Sequence, residues 1–162
     1  MTGVYTRARD VAQHINDLLA GISVANGYET DIGLKVYRGK RRIDDDAVPC
    51  AVLIEGEDNP TSDQGPASQK VTQSYVLGGY TTCDPDNPND AAHKIIADIK
   101  KAIFTVVNPS KVDRHRGTHT FGGLVKNVTY RGRDIGPRAD SVAIVFAVVH
   151  IDVEFVEQLT EA

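Results

Sequence analysis

Residues 4–37 have the sequence VYTRARDVAQHINDLLAGISVANGYETDIGLKVY. Apolar residues at steps of three and four predict one face of an amphipathic helix: Val4, Ala8, Val11, Ile15, Leu18 and Ile22. Asn26-Gly27 then tolerates the left-handed conformation that ends a helix. Ile32, Leu34 and Val36 alternate with other residues as in a half-buried strand. This unit contains no nucleophile–base pair, metal cluster or phosphate loop, so it favours assembly over catalysis.

The composition indicates one domain spanning residues 1–162. The net charge of −4 gives no overall attraction for nucleic acid. No run approaches the about 20 apolar residues that span a bilayer, and the N-terminus has no apolar signal region, so neither a membrane nor secretion is expected. Cys50 and Cys83 are expected to be reduced thiols in a cytoplasm.

The remaining pattern predicts four further strands and a second helix. The strands cover residues 50–55, 69–80, 124–130 and 141–155, and the helix covers 91–106. The predicted order is α-β-β-β-α-β-β. Short connections favour antiparallel pairing, so we predict an α+β domain with a mainly antiparallel sheet of about five strands and two packed helices.

Three local features carry their own predictions. Residues 56–68 are polar, contain Pro60 and Pro66 and show no periodicity, which predicts a long mobile loop. Gly78-Gly79 indicates a bulge or a close backbone approach. Residues 157–162 are predicted to be a short C-terminal tail.

Candidate chemistry is weak along the whole chain. His115 and His119 have a metal-ligand spacing, but Gly117 between them argues against a helix and favours a solvated loop. Prolines separate Asp84, Asp86 and Asp90, so this segment favours a turn over a cation site. No serine nucleophile motif is present. We therefore expect no catalytic residues, no cofactor and no metal.

Charged residues cluster at two predicted hairpin ends. These clusters are chemically able to touch phosphates, but acidic neighbours and the lack of an aromatic platform favour protein contacts. The last strand also continues an apolar face that we expect to extend past the core. The candidate interface residues are Arg38, Lys40, Arg41, Arg42, Asp44, Asp45, Asp46, Arg131, Arg133, Asp134, Ile151, Val153 and Phe155.

Several short segments carry a family resemblance. They are Ile15-x-x-Leu18-Leu19-x-Gly21-Ile22, Asn26-Gly27-Tyr28-x-Thr30-Asp31-Ile32-Gly33, Val36-x-Arg38-Gly39, residues 49–55, Ala97-Asp98-Ile99 and Tyr130-Arg131-Gly132-Arg133. Together they resemble the tail terminators and related tail-completion or neck proteins of long-tailed bacteriophages.

The resemblance implies an α/β subunit of a hexameric ring. Such a ring caps the tail tube, stops its polymerisation and offers a surface for head–tail joining. The implied partners are further copies of the chain, the tail tube protein and a head connector or neck protein, without specific nucleic-acid binding. The implied location is the head-proximal end of the virion tail, after assembly in the host cytoplasm. Two alternatives stay open: a nucleic-acid-binding or regulatory module that uses the basic hairpin ends, and a small hydrolase.

Overall fold

The computed structural model describes residues 7–40, 43–63, 68–105, 119–121, 123–136 and 143–158. Within them the chain forms two α-helices and a five-stranded sheet, which confirms the α+β prediction and the element order. The elements are α1 (Arg7–Ala20), β1 (Val36–Arg38), β2 (Cys50–Asp63), β3 (Ser68–Thr82), α2 (Pro88–Phe104), β4 (Asn127–Ile135) and β5 (Ile144–Gln158). Neither described helix has the length and apolar character that crossing a membrane requires.

The strand order across the sheet is β1-β2-β3-β5-β4. All neighbours are antiparallel except β1 and β2, which run parallel with Val36 opposite Ala51. The predicted hairpin after Arg38 is therefore wrong, because a hairpin joins antiparallel strands. Because β1 and β2 are parallel, both strands begin at the same end of the sheet. The connection between them includes a 3-10 turn, Asp45–Ala47.

The strand predicted from Ile32 is also wrong at its start. Ile32–Leu34 forms a 3-10 turn, and only Val36–Arg38 is a strand. Ile32 is fully buried, whereas Leu34 is 68% exposed. The cause is Gly33, whose N–H donates to the carbonyl of Ile22 at 2.9 Å and brings the chain against the end of α1.

The predicted loop at 56–68 is largely strand. β2 runs to Asp63 and β3 begins at Ser68, with Asp58 opposite Gln73 and Pro60 opposite Val71. The alternation of a strand is absent from the sequence here because this part of β2 extends past β1, where residues 56–60 are exposed and mostly polar. Residues 64–67 lie outside the described part. The tail prediction is wrong for 157 and 158, which pair with β3, while 159–162 are not described.

Both helices pack in one core with the odd-numbered residues of β3 and β5. The buried helix residues are Val11, Ala12, Ile15 and Leu19 of α1 and Ala92, Ile95, Ile96, Asp98, Ile99, Ala102 and Ile103 of α2. The predicted apolar face of α1 is confirmed at Val11 and Ile15, while Val4 is not described. The apolar face of each amphipathic helix is the face that packs in the core. Both helices therefore cover the same face of the sheet.

Gly78 and Gly79 mark close approaches on both faces of the sheet. A Cβ on Gly78 would lie 2.6 Å from the Phe146 ring, and a Cβ on Gly79 would lie 2.8 Å from Ile95 and 2.9 Å from Ile32. Pairing with β5 is continuous through both glycines. Of the two predicted explanations, the close approach is confirmed and the bulge is wrong.

A buried carboxylate joins α2 to the segment before β1. Asp98 is 2% exposed. Its two oxygens accept hydrogen bonds from Glu29 N at 3.0 Å, Thr30 N at 2.7 Å and the Thr30 hydroxyl at 2.6 Å. One turn later, Lys101 Nζ donates to Gly27 O at 3.0 Å. α2 thus fixes the chain that leads into the sheet edge.

Replacing Gly33 by alanine is expected to destabilise the protein. The added Cβ would collide with Leu19 O and lie 2.5 Å from Ile22 O, and backbone atoms cannot move aside as a flexible side chain does. We expect a loss of about 2 kcal/mol or more in the free energy of unfolding, measured by urea denaturation. Gly21→Ala is the matched control, because its Cβ would meet only Leu18 O at an ordinary 3.5 Å. Equal stability of the two variants would contradict the close approach.

Asp98→Asn tests the buried carboxylate. The amide group places its own N–H donors against the donors of residues 29 and 30, and buried donors without acceptors are costly. We expect a loss of about 2–4 kcal/mol in the free energy of unfolding. Asp90→Asn changes an exposed carboxylate on the same helix and should cost below about 1 kcal/mol. If both substitutions have the same effect, Asp98 does not hold this segment.

Candidate interaction surface

The first predicted charge cluster surrounds the end of β1. Arg38 Nη2 lies 3.3 Å from Glu55 Oε1 on β2, and Lys40 Nζ lies 4.8 Å from the centre of the Tyr37 ring. Asp44 and Asp46 are exposed. Asp45 lies in the 3-10 turn, and Arg41 and Arg42 lie outside the described residues.

The second cluster lies in the last part of β4, which runs to Ile135, so the predicted end of this strand at residue 130 is wrong. Arg133 and Asp134 pair with Val149 and Val148 of β5. A bulge shifts the register between Tyr130 and Gly132, where Gly132 has a φ of 118°, and the strand continues beyond it. The ladder continues because the neighbouring β5 is long enough to pair with residues on both sides of the bulge.

Arg131 is engaged with its own chain. Its Nε lies 3.3 Å from Asp152 Oδ2 on β5, and the Ser74 hydroxyl donates to Asp152 Oδ1 at 2.9 Å. Arg38 is likewise paired with Glu55. Such half-exposed pairs contribute about 1 kcal/mol or less each. Both arginines are therefore partly neutralised before any partner arrives.

The two clusters lie at opposite edges of the sheet. One belongs to β1 and its connection to β2, the other to β4, and β3 and β5 stand between them. The structure therefore does not bring the predicted charged residues into a single site. It presents two separate charged surfaces on one rigid sheet.

The apolar part of the predicted interface is wrong. Ile151, Val153 and Phe155 are all buried in the core of the same chain. The predicted division of the strand into two faces is correct, since His150, Asp152 and Glu154 are only half-buried on the other side. The apolar face does not leave the core, because it is covered within the chain by a cluster that includes Val125 and Val128.

An acidic stretch on β2 was missed by sequence reasoning. Glu55, Glu57 and Asp58 are exposed where β2 extends beyond β1, with a shift in register between residues 55 and 58. Glu57 and Asp58 fall in the segment predicted to be a loop because it shows no alternation, whereas Glu55 is the last residue of the strand predicted at 50–55. Their charge was the available signal, and it points to a surface rather than a core.

His119 lies in an aromatic cluster rather than in a solvated loop, so that prediction is wrong. Its Nε2 lies 2.6 Å from Ile103 O, which requires a proton on Nε2. Its Nδ1 is buried and has no hydrogen-bond partner among the described residues. The centre of the His119 ring lies 5.1 Å from that of Phe121, and the centre of the His14 ring lies 4.8 Å from the same phenylalanine ring. His115 is not described.

The aspartates before α2 form a turn, as predicted. Asp86 N donates to Asp84 Oδ1 at 3.0 Å, and Asn87 Nδ2 donates to Asp90 Oδ2 at 2.7 Å. Asp84, Asn87 and Asp90 border an open cleft of about 410 Å³. Across the described ranges, no group of three metal-ligating side chains comes together.

No protein-family model matches the sequence, and a comparison with curated proteins finds no match either. A function for this chain therefore has to be argued from its residues and its geometry. The feature that the geometry defines best is the pair of charged sheet edges.

The half-buried position of His14 predicts an acid-sensitive stability. Burial lowers the pKa of His14 below its ordinary value of 6.5, His119 lowers it further, and Asp17 opposes the shift. A folded-state pKa below the unfolded one means that stability is complete above about pH 6.5 and falls as the pH drops below that value.

His14→Gln should flatten this dependence between about pH 7 and pH 5.5, where carboxylates contribute little. Urea denaturation at several pH values measures the slope. His93→Gln, which changes an exposed histidine on α2, is the control and should keep the slope of the unmodified protein. An unchanged slope in the His14 variant would show that another group carries the dependence.

Proposed function

We propose that this chain is a structural subunit of a bacteriophage tail. In this proposal copies of the chain form a ring, most simply a hexamer, on the end of the tail tube. The ring terminates tube polymerisation and provides the surface for head–tail joining. The observation that carries the proposal is the placement of two charged surfaces at opposite edges of one sheet.

A ring subunit needs two different surfaces, because each copy contacts one neighbour on each side. Head-to-tail contacts of this kind close into a ring when the rotation between copies allows it. A sheet with unlike charged edges and helices on one face meets that requirement. The resemblance to tail terminators supplies the biological setting.

The partners that follow are further copies of the chain, the tail tube protein and a head connector or neck protein. The proposed location is the head-proximal end of the tail. The proposed role is structural rather than enzymatic, with no cofactor.

Charge pairing within the chain favours this proposal over the nucleic-acid alternative. Arg38 and Arg131 each lie 3.3 Å from a carboxylate of the same chain. A phosphate-binding arginine would have to give up that partner. Partly neutralised charges at a surface are better suited to orienting a protein neighbour than to gripping a polyanion.

Electron microscopy of tail tubes tests the function directly. Tubes polymerised from the cognate tube protein, with and without the purified chain, are compared for length and for density at their ends. We expect a ring at one end and an arrest of elongation when the chain is present. Tubes that continue to elongate without an added ring would contradict the proposal.

The same protein should bind duplex DNA weakly. Fluorescence anisotropy with labelled DNA at physiological salt provides the measurement. Tight binding that is lost in an Arg131→Glu/Arg133→Glu variant would instead support the nucleic-acid module. A matched Arg9→Glu/Lys94→Glu variant, which reverses two exposed cations on the helices, controls for total charge.

A further inference from the structure

The part of β2 that extends beyond β1 and the edge strand β4 carry exposed side chains of opposite charge. We name Glu55, Glu57 and Asp58 on β2 the acidic edge, and Lys126, Arg131 and Arg133 on and beside β4 the basic edge. All six side chains are exposed. We propose that the acidic edge of one copy docks against the basic edge of a second copy. This inference rests on the proposed function and identifies the contact between neighbouring ring subunits.

The acidic edge is open because β1 is short. β1 pairs with β2 only through Ala51, Val52 and Leu53. Beyond them, in the part of the chain that the structure describes, β2 has a neighbour on one side only, which is β3. Glu55 is shared with Arg38 of β1, whereas Glu57 and Asp58 are exposed where another subunit has access to them.

The mode of contact is through side chains rather than a continued ladder. The shift in register between Glu55 and Asp58 kinks the edge of β2, and Pro60 lacks the N–H that a further strand would need. Such features prevent indiscriminate edge-to-edge pairing. Charge pairing remains available and is selective for a partner of opposite sign.

The basic edge is open in the same way. Within the described ranges β4 pairs only with β5. The bulge at Gly132 interrupts this edge too. Arg131 is shared with Asp152. Arg133 is an exposed cation next to Asp134, and Lys126 is an exposed cation whose backbone N–H donates to the carbonyl of Glu154. Tyr130 adds a ring that is 40% exposed on the same strand.

The occupant that fits both edges is a second copy of this chain. Each copy carries one edge of each sign, and the sheet order keeps them apart, so a copy is unable to satisfy one with the other. The resulting contact is head-to-tail, since a two-fold contact would place like charges together. Complementary charge also speeds association and rejects wrong orientations.

Paired charge reversals test this docking. An acidic-edge variant carries Glu57→Lys and Asp58→Lys, and a basic-edge variant carries Lys126→Glu and Arg133→Glu. Sedimentation velocity at low and high salt measures association, and circular dichroism checks folding. We expect the unmodified chain to associate more weakly as salt rises. Each variant alone should associate at least about tenfold more weakly.

Mixing the two variants should restore association. The intact basic edge of the first fits the intact acidic edge of the second, and the reversed edges fit each other with exchanged signs. An Asp86→Lys/Lys94→Glu variant alters exposed charges away from both edges and should associate like the unmodified chain. Rescue by mixing is the result that a head-to-tail contact between these edges requires.

Three results would overturn the docking: an unmodified chain that stays monomeric at its highest soluble concentration in low salt, single variants that associate normally, or a mixture that does not recover. The tube assay reports separately on function. A chain that associates through these edges but leaves tubes growing overturns only the capping role. Capping by a chain with one reversed edge overturns only the edge contact.

Discussion

The three hydrogen bonds to the Asp98 carboxylate determine how the first third of the chain meets the rest. A buried charge is unfavourable unless donors surround it, and here two backbone N–H groups and one hydroxyl do so. Thr30 is thereby fixed on α2. As a result, Ile32 packs on Gly79, and Gly33 lies against the end of α1. The short β1 follows, and its shortness leaves β2 partly uncovered.

Much of the fold follows from periodicity in the sequence. Both helices bury one face, so steps of three and four identified them, and the order of elements was correct. β3 also alternates because one of its faces packs against α2. These elements share a boundary between core and solvent, and such a boundary leaves a readable pattern of residues.

Elements without that boundary were missed. The part of β2 beyond β1 has mostly polar residues at successive positions, so its strand character depends on pairing with β3, which the side-chain pattern does not indicate. Ile32 and Leu34 alternate by coincidence, since a tight turn separates them. The charged surface was identified as a set of exposed residues, but its arrangement depends on strand order. Asp98 did leave a signal, because a carboxylate three residues after Ile95 on an apolar helix face requires a buried partner.

Gly78 and Gly79 give the sheet an unusual mechanical property. At this point the two layers of side chains are separated by bare backbone alone, with Phe146 against one face and Ile95 against the other. A close-packed interior has low compressibility. No glycine side chain lies between Phe146 and Ile95 of α2 to absorb a displacement. A contact that moves Phe146, on the face of the sheet away from the helices, is thus transmitted to α2.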